Sequence, residues 1–324
     1  MADRSYLDWP FFEERHRKLA QELDDWCRQT KWPHHGDSVD ATDEACRKRV
    51  QLLAEGGWLR WCVPREFGGK HESLDVRSLC LIRETLARYD ALADFSFAMQ
   101  GLGSGAISLY GNSEQKQNIL EEVSAGRMIA GFALSEPDAG SDVAAMNSKA
   151  FSTTEGWKVN GEKSWISNGG IADYYTFFAK TSDQPGSGGI SAFLLKADNP
   201  GLSIAERQEV MAPHPLARLQ LKDAMLKREA LLGEEGKGFG IAMATLNIFR
   251  PTVGAAALGF ARRALDEILH YSGDRKMYGQ TMQNMPVVRS RLGEMDLEID
   301  ASALLVYRAA WAHDQDQGRV TTVM

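Results

Sequence analysis

Two short segments carry residues fit to hold a flat or anionic ligand. In Ala133-Leu134-Ser135-Glu136-Pro137-Asp138-Ala139-Gly140-Ser141-Asp142, a strand runs into a turn rich in small hydroxyl and acidic side chains. Pro137 and Gly140 allow a tight bend, Gly140 permits close backbone approach, and Ser141 or Asp142 suits the cap of a short helix. Backbone N–H groups exposed at such a bend suit a phosphate or a ring edge. A plain strand-to-loop cap would use the same residues. The second segment is Gly161-Glu162-Lys163-Ser164-Trp165-Ile166-Ser167-Asn168-Gly169-Gly170. As a strand it sets Trp165 and Ser167 on one face and Ile166 on the other. An indole can wall a flat ring and a hydroxyl two residues on can bond a ring heteroatom; a core tryptophan of a β sandwich has the same signature.

A glycine-rich run elsewhere is a decoy. Gly101-Leu102-Gly103-Ser104-Gly105-Ala106 fits a loose GxGxxA, with Glu121 and Glu122 near the offset of a ribose-binding acid. A dinucleotide finger needs a preceding strand. Leu92 to Met99 instead continues a helical stretch, so the small residues are read as close helix packing.

The elements that must position these segments come in three blocks. Residues 1–127 read as helices separated by turn signals. Pro10 opens the stretch Phe11 to Arg28, Thr42 or Asp43 caps the next helix and Gly56-Gly57 ends it. A third helix runs from about Ser73 to Tyr89, and Ser113 starts another that Gly126 stops. Residues 128–232 read as short strands between turns, with Asn160-Gly161 as a hairpin signal and Glu155-Gly156 as a second turn. Residues 233–324 are helical again, over about Phe239 to Tyr271 and Val287 to Asp314. The block order excludes the βαβ alternation of a doubly wound fold and predicts an α+β protein.

Composition narrows the function classes. The 324 residues hold 37 basic and 44 acidic side chains, a net charge of −7, which argues against general nucleic-acid binding. Hydrophobic content of 44% and charged content of 25% are those of an ordinary globular chain. Cys27, Cys46, Cys62 and Cys80 are 16 to 19 residues apart with no CxxC pair. No metal site is expected, and buried reduced thiols are. The charged N-terminus is unlike a signal peptide and no run of ~18 apolar residues occurs, so a cytoplasmic protein without a membrane partner is the default.

Taken together, the two segments resemble the acyl-CoA dehydrogenase family. Leu134 to Asp142 is similar to its first signature, a Ser or Thr, Glu, two variable positions, then Gly-Ser-Asp. Gly161 to Gly170 is similar to its GxKxWI(S/T)NGG segment. Phe249-Arg250-Pro251 resembles the helix-borne arginine near the substrate entrance, and Asp274 to Gly279 resembles the R-K-x-F-G stretch. The resemblance implies a helical N-domain, a β-sandwich or barrel-like middle domain and a helical-bundle C-domain, the last incomplete. It implies FAD as cofactor, an acyl-CoA substrate, an electron-transfer flavoprotein as redox partner, and a homotetramer or homodimer.

By the same resemblance, FAD is expected at Phe132, Leu134, Ser135, Gly140, Ser141, Trp165, Ile166, Ser167, Arg275, Met277 and Tyr278. Arg275 would reach the adenosine diphosphate half of a neighbouring subunit's FAD. Ser141, Asn247 and Arg250 are expected at the substrate. The implied reaction is α,β-dehydrogenation, in which a carboxylate takes the α-proton and the flavin takes the β-hydride. Phe249 occupies one of the family's two positions for that carboxylate and cannot accept a proton. The other lies on a C-terminal loop, expected beyond Met324. No catalytic base is therefore assigned within the chain, and Glu294 and Glu298 read as solvated helix acids. Two further departures are Pro286, where many members have glutamine, and His214-Pro215-Leu216-Ala217, where Ser or Thr is usual. The alternatives are an acyl-CoA oxidase or nitroalkane-oxidase-like flavoenzyme, and a fragment without turnover.

Overall fold

The computed structural model describes residues 3–34, 36, 38–184 and 186–316. Among the described residues, seven α-helices and ten strands follow in the order expected: α1 (Glu14–Gln29), α2 (Val39–Glu55), α3 (Val76–Tyr89), α4 (Ala91–Tyr110) and α5 (Ser113–Ser124), then the strands, then α6 (Gly238–Asp274) and α7 (Pro286–Asp314). The main strands are β1 (Ala130–Ala133), β2 (Lys149–Ser152), β3 (Gly156–Ser167), β4 (Tyr174–Lys180), β5 (Ile190–Lys196), β6 (Leu202–Arg207), β7 (Leu216–Lys227) and β8 (Leu231–Leu232). β9 (Lys276–Met277) and β10 (Gln280–Thr281) form a separate hairpin. The α+β class with helical N- and C-terminal parts around a sheet is as expected.

Helix boundaries follow local hydrogen bonding, and some differ from expectation. α1 starts at Glu14 rather than at Pro10, because Glu13 N–H donates to His16 Nδ1 at 3.0 Å and closes the first turn there. Ser38 rather than Thr42 or Asp43 caps α2, its hydroxyl accepting from Ala41 N–H at 3.2 Å. Gly56 and Gly57 do end α2, with Gly57 at φ 74°.

By packing, the chain divides into two compact units that alternate along the sequence. One takes the chain up to Lys31, Asp75–Asp94 and the chain from Ile248 on; the other takes Trp32–Leu74 and Phe95–Asn247. In the first, Gly259 of α6 crosses α3 so closely that a Cβ there would meet Glu84 O at 2.2 Å. Gly259 thus serves close packing of the two helices. Buried Glu84 pairs with Arg262 at 2.7 Å and accepts a short hydrogen bond from Tyr307, and the Arg262 guanidinium lies 4.3 Å from the Tyr6 ring centroid. Glu84 and Arg262 thus partner one another, as burial of charge demands. α6 is long and apolar enough by length and composition to cross a membrane, but 56% of its most apolar window is buried inside the protein, as in a core helix.

Asp314, near the end of α7, holds the start of α3. Its carboxylate accepts from Val76 N–H at 2.8 Å, Arg77 N–H at 3.1 Å and Arg77 Nε at 2.8 Å. It therefore satisfies donors that a helix start leaves open. Asp314→Ala is expected to cost about 2 kcal/mol, the sum of a lost cap and a weakened buried pair. Urea unfolding followed by far-UV circular dichroism measures it, and an unshifted midpoint would refute this role.

The second unit is built on an eight-stranded sheet of order β6-β7-β3-β2-β4-β5-β8, with β1 parallel to β4. β4 and most of β5 are buried residue after residue, so these apolar runs are covered on both faces. β6 is an edge, largely exposed and carrying Glu206 and Arg207. β1 pairs along Tyr174 to Phe177 and β2 touches the same edge only at Lys180, so β1 leaves β4 before β2 joins it. The loop after β1 starts in that gap.

The Gly101 to Ala106 decoy lies inside α4, as its helical context predicted. A Cβ on Gly103 would come 2.6 Å from Ala130 Cβ, so the glycine lets α4 lie on β1. Gln100 grips the strand from both sides, donating to Met128 O and accepting from Ala130 N–H, each at 2.8 Å. The Asn160-Gly161 hairpin is corrected. Both residues lie inside β3, where pairing with β7 shifts register between Val159 and Gly161. A Cβ on Gly161 would sit 2.2 Å from Ser148 Oγ, so close approach rather than a turn requires this glycine. The Glu155-Gly156 turn does join β2 to β3, with Thr153 N–H donating to Gly156 O. All four cysteines are buried and none forms a disulfide, as expected.

Candidate active site

The loop after β1 and the end of β3 are locked together by a buried ion pair. Lys163 Nζ lies 2.8 Å from Glu136 Oε1, with the two side chains 0% and 4% exposed. Lys163 also donates to Leu134 O at 3.1 Å and stands 5.1 Å from the Phe177 ring centroid. The Glu136 carboxylate accepts in addition from Asn147 N–H at 2.5 Å and Ser148 N–H at 3.1 Å. Burial pushes the Lys163 ammonium down to about 8, against the attraction of Glu136. Burial pushes the Glu136 carboxyl up, but Lys163 and the Ser148 and Asn147 amides outweigh it and hold the group below its ordinary value. Ser164 N–H donates to Ser135 O at 3.0 Å, and Glu136 and Ala139 exchange backbone bonds of 3.1 and 3.2 Å. The two sequence segments thus form one rigid corner.

On that corner the chain presents an indole to the outside. Lys163 pairs with Leu219 and Ile166 with Ala217, so Ser164 and Trp165 together face the single residue Arg218. This is a β-bulge, which bends a strand and re-aims a side chain. Trp165 takes φ 60°, a left-handed conformation that costs an aromatic residue of order 1 kcal/mol. The residue is 59% exposed, whereas every other tryptophan is buried or half-buried. Ile166 is 1% exposed and Ser167 half-buried, the alternation expected of the strand. Beyond them Asn168 ties the strand end to β1, its Nδ2 donating to Ala130 O at 2.9 Å.

The expected FAD residues of this unit fall into two groups. Ser135, Gly140, Ser141, Trp165 and Ser167 reach the surface of the corner, and the space around a Cβ at Gly140 is open to beyond 4 Å. Leu134 and Ile166 turn their side chains into the core. Phe132 is half-buried, with its ring 5.2 Å from Phe178. An exposed flat indole beside three hydroxyl side chains and an open glycine bend is a donor set that fits a flavin.

The remaining candidates lie on α6 and the small hairpin. Asn247 is half-buried and Arg250 exposed, three positions apart and so on one side of the helix. Phe249 between them is 5% exposed and offers no proton acceptor. Arg275 is exposed, with its N–H bonded to Tyr271 O and its carbonyl to Met282 N–H. Tyr278 and Gly279, at φ 50° and 80°, form the tight turn between β9 and β10, which leaves Tyr278 89% exposed. Met277 is half-buried in β9. Pro286 is the first residue of α7, where its missing N–H costs nothing, and the His214 ring lies 4.6 Å from that of Phe95. Among the described residues, no group of three or more His, Cys, Asp or Glu is placed to hold a metal ion.

Sequence reasoning missed Glu136, Lys163 and Asn168 as organisers of the corner. A signal for one of them was present. Lys163 lies two positions before Trp165, and the bulge between them reverses the face, so an apparently outward lysine is an inward one. An inward lysine requires a carboxylate, and the first segment contains one.

Comparison with known proteins bears on all of these segments. The profile of the acyl-CoA dehydrogenase N-terminal domain matches residues 13–127, that of the middle domain 131–224 and that of the C-terminal domain 236–323. A probable acyl-CoA dehydrogenase, fadE25 of Mycobacterium leprae, is 34% identical over 92% of this chain and 76% of its own length. The butyryl-CoA dehydrogenase of Megasphaera elsdenii superposes with a TM-score of 0.85 at 29% identity, covering 96% of this chain and 82% of that one. PigA, solved with FAD and proline, superposes with a TM-score of 0.84 at 25% identity over 96% of this chain and 82% of its own.

Proposed function

The chain belongs to the acyl-CoA dehydrogenase family of FAD-binding oxidoreductases, and from that premise we propose that it binds FAD against the Ser135–Asp142 loop and Trp165 and dehydrogenates an acyl-CoA thioester at its α,β bond. The observation that carries this reading is the exposed Trp165 on a strained bulge, locked by Glu136 and Lys163 beside Ser135 and Ser141. Strain at a fixed, outward aromatic side chain is the mark of a preorganised ligand surface.

The chemistry that FAD supplies when bound is acceptance of the substrate β-hydride. The chain's own residues bind and orient. Trp165 covers one face of the ring system and excludes water there. Ser135 and Ser167 supply hydroxyls to polar ring atoms, and Ser141 supplies one to a phosphate or the thioester arm. Asn247 and Arg250 hold the substrate, the guanidinium suiting an anionic group of the CoA moiety. Phe249 holds no proton, so its position contributes packing to α6 and not acid–base chemistry.

Arg275 is proposed to reach the adenosine diphosphate half of FAD in a neighbouring copy of a homotetramer or homodimer, with an electron-transfer flavoprotein as acceptor. Arg275→Ala is expected to weaken FAD binding about tenfold, the worth of a charge-assisted hydrogen bond. Flavin fluorescence titration reads this directly, and an unchanged Kd would remove Arg275 from the site. The family reading itself is tested by adding FAD to the purified chain and then an acyl-CoA thioester without air. Stoichiometric flavin uptake with a shifted or bleached visible band is expected, and no uptake would overturn it. Rapid reoxidation by air with peroxide release would point to an oxidase instead.

A further inference from the structure

We propose that Gln208 is a positioning residue for the flavin-facing indole, an inference that rests on the placement of Trp165 at FAD. The bulge removes Ser164 and Trp165 from the β3–β7 ladder, so their backbone donors need other partners. Ser164 N–H finds Ser135 O. Trp165 N–H finds a side chain, Gln208 Oε1, at 2.8 Å. The amide nitrogen of the same side chain donates to Ser164 Oγ at 3.3 Å, so one planar group spans both bulged residues.

Gln208 is itself fixed. It follows the last residue of β6, and its N–H donates to Leu216 O at 2.9 Å, extending the pairing with β7 by one bond. Its neighbour Arg207 is clamped to Asp43 of α2 by two bonds of 2.7 and 2.5 Å. A rigid edge strand thus delivers a neutral, two-ended hydrogen-bonding group to the place where the chain turns left-handed. Neutrality matters little to the bulge, because Trp165 N–H requires only an acceptor; length does matter, because the reach from β6 is set by the strand.

Removing the acceptor frees Trp165 to leave its left-handed conformation, and the indole then no longer waits in place for the ring. Gln208→Met keeps the length and bulk of the side chain and deletes both hydrogen bonds. Gln208→Glu retains an acceptor for Trp165 N–H and can accept from the Ser164 hydroxyl. The experiment compares the two variants with wild type and Trp165→Ala, measuring FAD Kd, the visible band of the bound flavin and hydrogen exchange at the Trp165 amide. Gln208→Met is expected to exchange faster at Trp165, to weaken FAD about tenfold and to shift the flavin band. Gln208→Glu is expected to return all three toward wild type. Packing alone would move neither the flavin band nor the rescue. Wild-type FAD affinity in Gln208→Met together with weakened affinity in Trp165→Ala would overturn the role of Gln208 and spare the flavin site. Unchanged affinity in both variants would overturn the placement of Trp165 and this inference with it.

Discussion

Glu136→Gln is expected to destabilise the second unit by about 3 kcal/mol and to abolish FAD retention at purification concentrations. The magnitude follows from leaving a buried ammonium without its counter-charge, which ordinarily costs several kcal/mol. Lys163 limits the loss, since burial already brings it down to about 8 and it sheds its proton once the carboxylate is gone. Lys163→Met leaves Glu136 with two backbone donors, Asn147 and Ser148, and is the milder change. The double variant, with both charges removed, is expected to recover much of the stability but not the geometry of the Ser135 loop. Urea midpoints and flavin content measured on all three variants separate packing from positioning. Full FAD retention in Glu136→Gln would show that the pair does not organise the corner.

The same pair sets a pH dependence. The folded value of Glu136 is depressed, so its contribution is present above its unfolded value near 4.5 and is lost as pH falls through the lower folded value. Flavin release from the wild-type protein in acid should therefore begin below about pH 4.5, and the part of the acid destabilisation due to Glu136 should be absent from the urea midpoints of the double variant. In alkali the sign is the same. Lys163 has a folded value of about 8 against 10.5, so the unfolded chain holds more protons in that window and linkage makes stability rise with pH there.

Much of this arrangement is legible in the sequence because it rests on local chemistry. The block order of helices, strands and helices follows from hydrophobic period and turn residues, and the Gly101 to Ala106 run is disqualified by its helical context. The alternation of Trp165, Ile166 and Ser167 is plain period-two patterning. The bulge is not legible, because an extra residue in β3 is defined only by its pairing with β7. Without the bulge, Lys163 and Trp165 share a face, and a buried lysine cannot be told from a solvated one. Asn160-Gly161 misled for a related reason, since a dipeptide that permits a turn also permits close approach. Gln208 lies 43 positions from Trp165, and no local rule couples them. The Asp314 cap on α3 is likewise invisible, as its donors are 238 and 237 positions away.

Trp165→Ala should be the second large effect and the most direct one on the cofactor. The wild-type indole is held outward at φ 60° on a residue that is 59% exposed, so little of its apolar area is committed to the protein's own core. Truncation should then cost little stability. A flavin stacked or edge-packed on the ring would lose about 2 kcal/mol of contact, near thirtyfold in affinity. Trp165→Phe keeps a flat apolar face and should retain most of the binding. Large loss of stability in Trp165→Ala would mean that the indole is a structural residue after all.

The central claim is that the corner made by the Ser135–Asp142 loop and Trp165 is a flavin site. Titration of the purified chain with FAD, followed by quenching of tryptophan fluorescence in wild type and in Trp165→Ala, tests it most directly. The account predicts one FAD per chain, with the quenching component contributed by Trp165 absent and the Kd raised near thirtyfold in the variant. Equal Kd and equal quenching in the two proteins would contradict it.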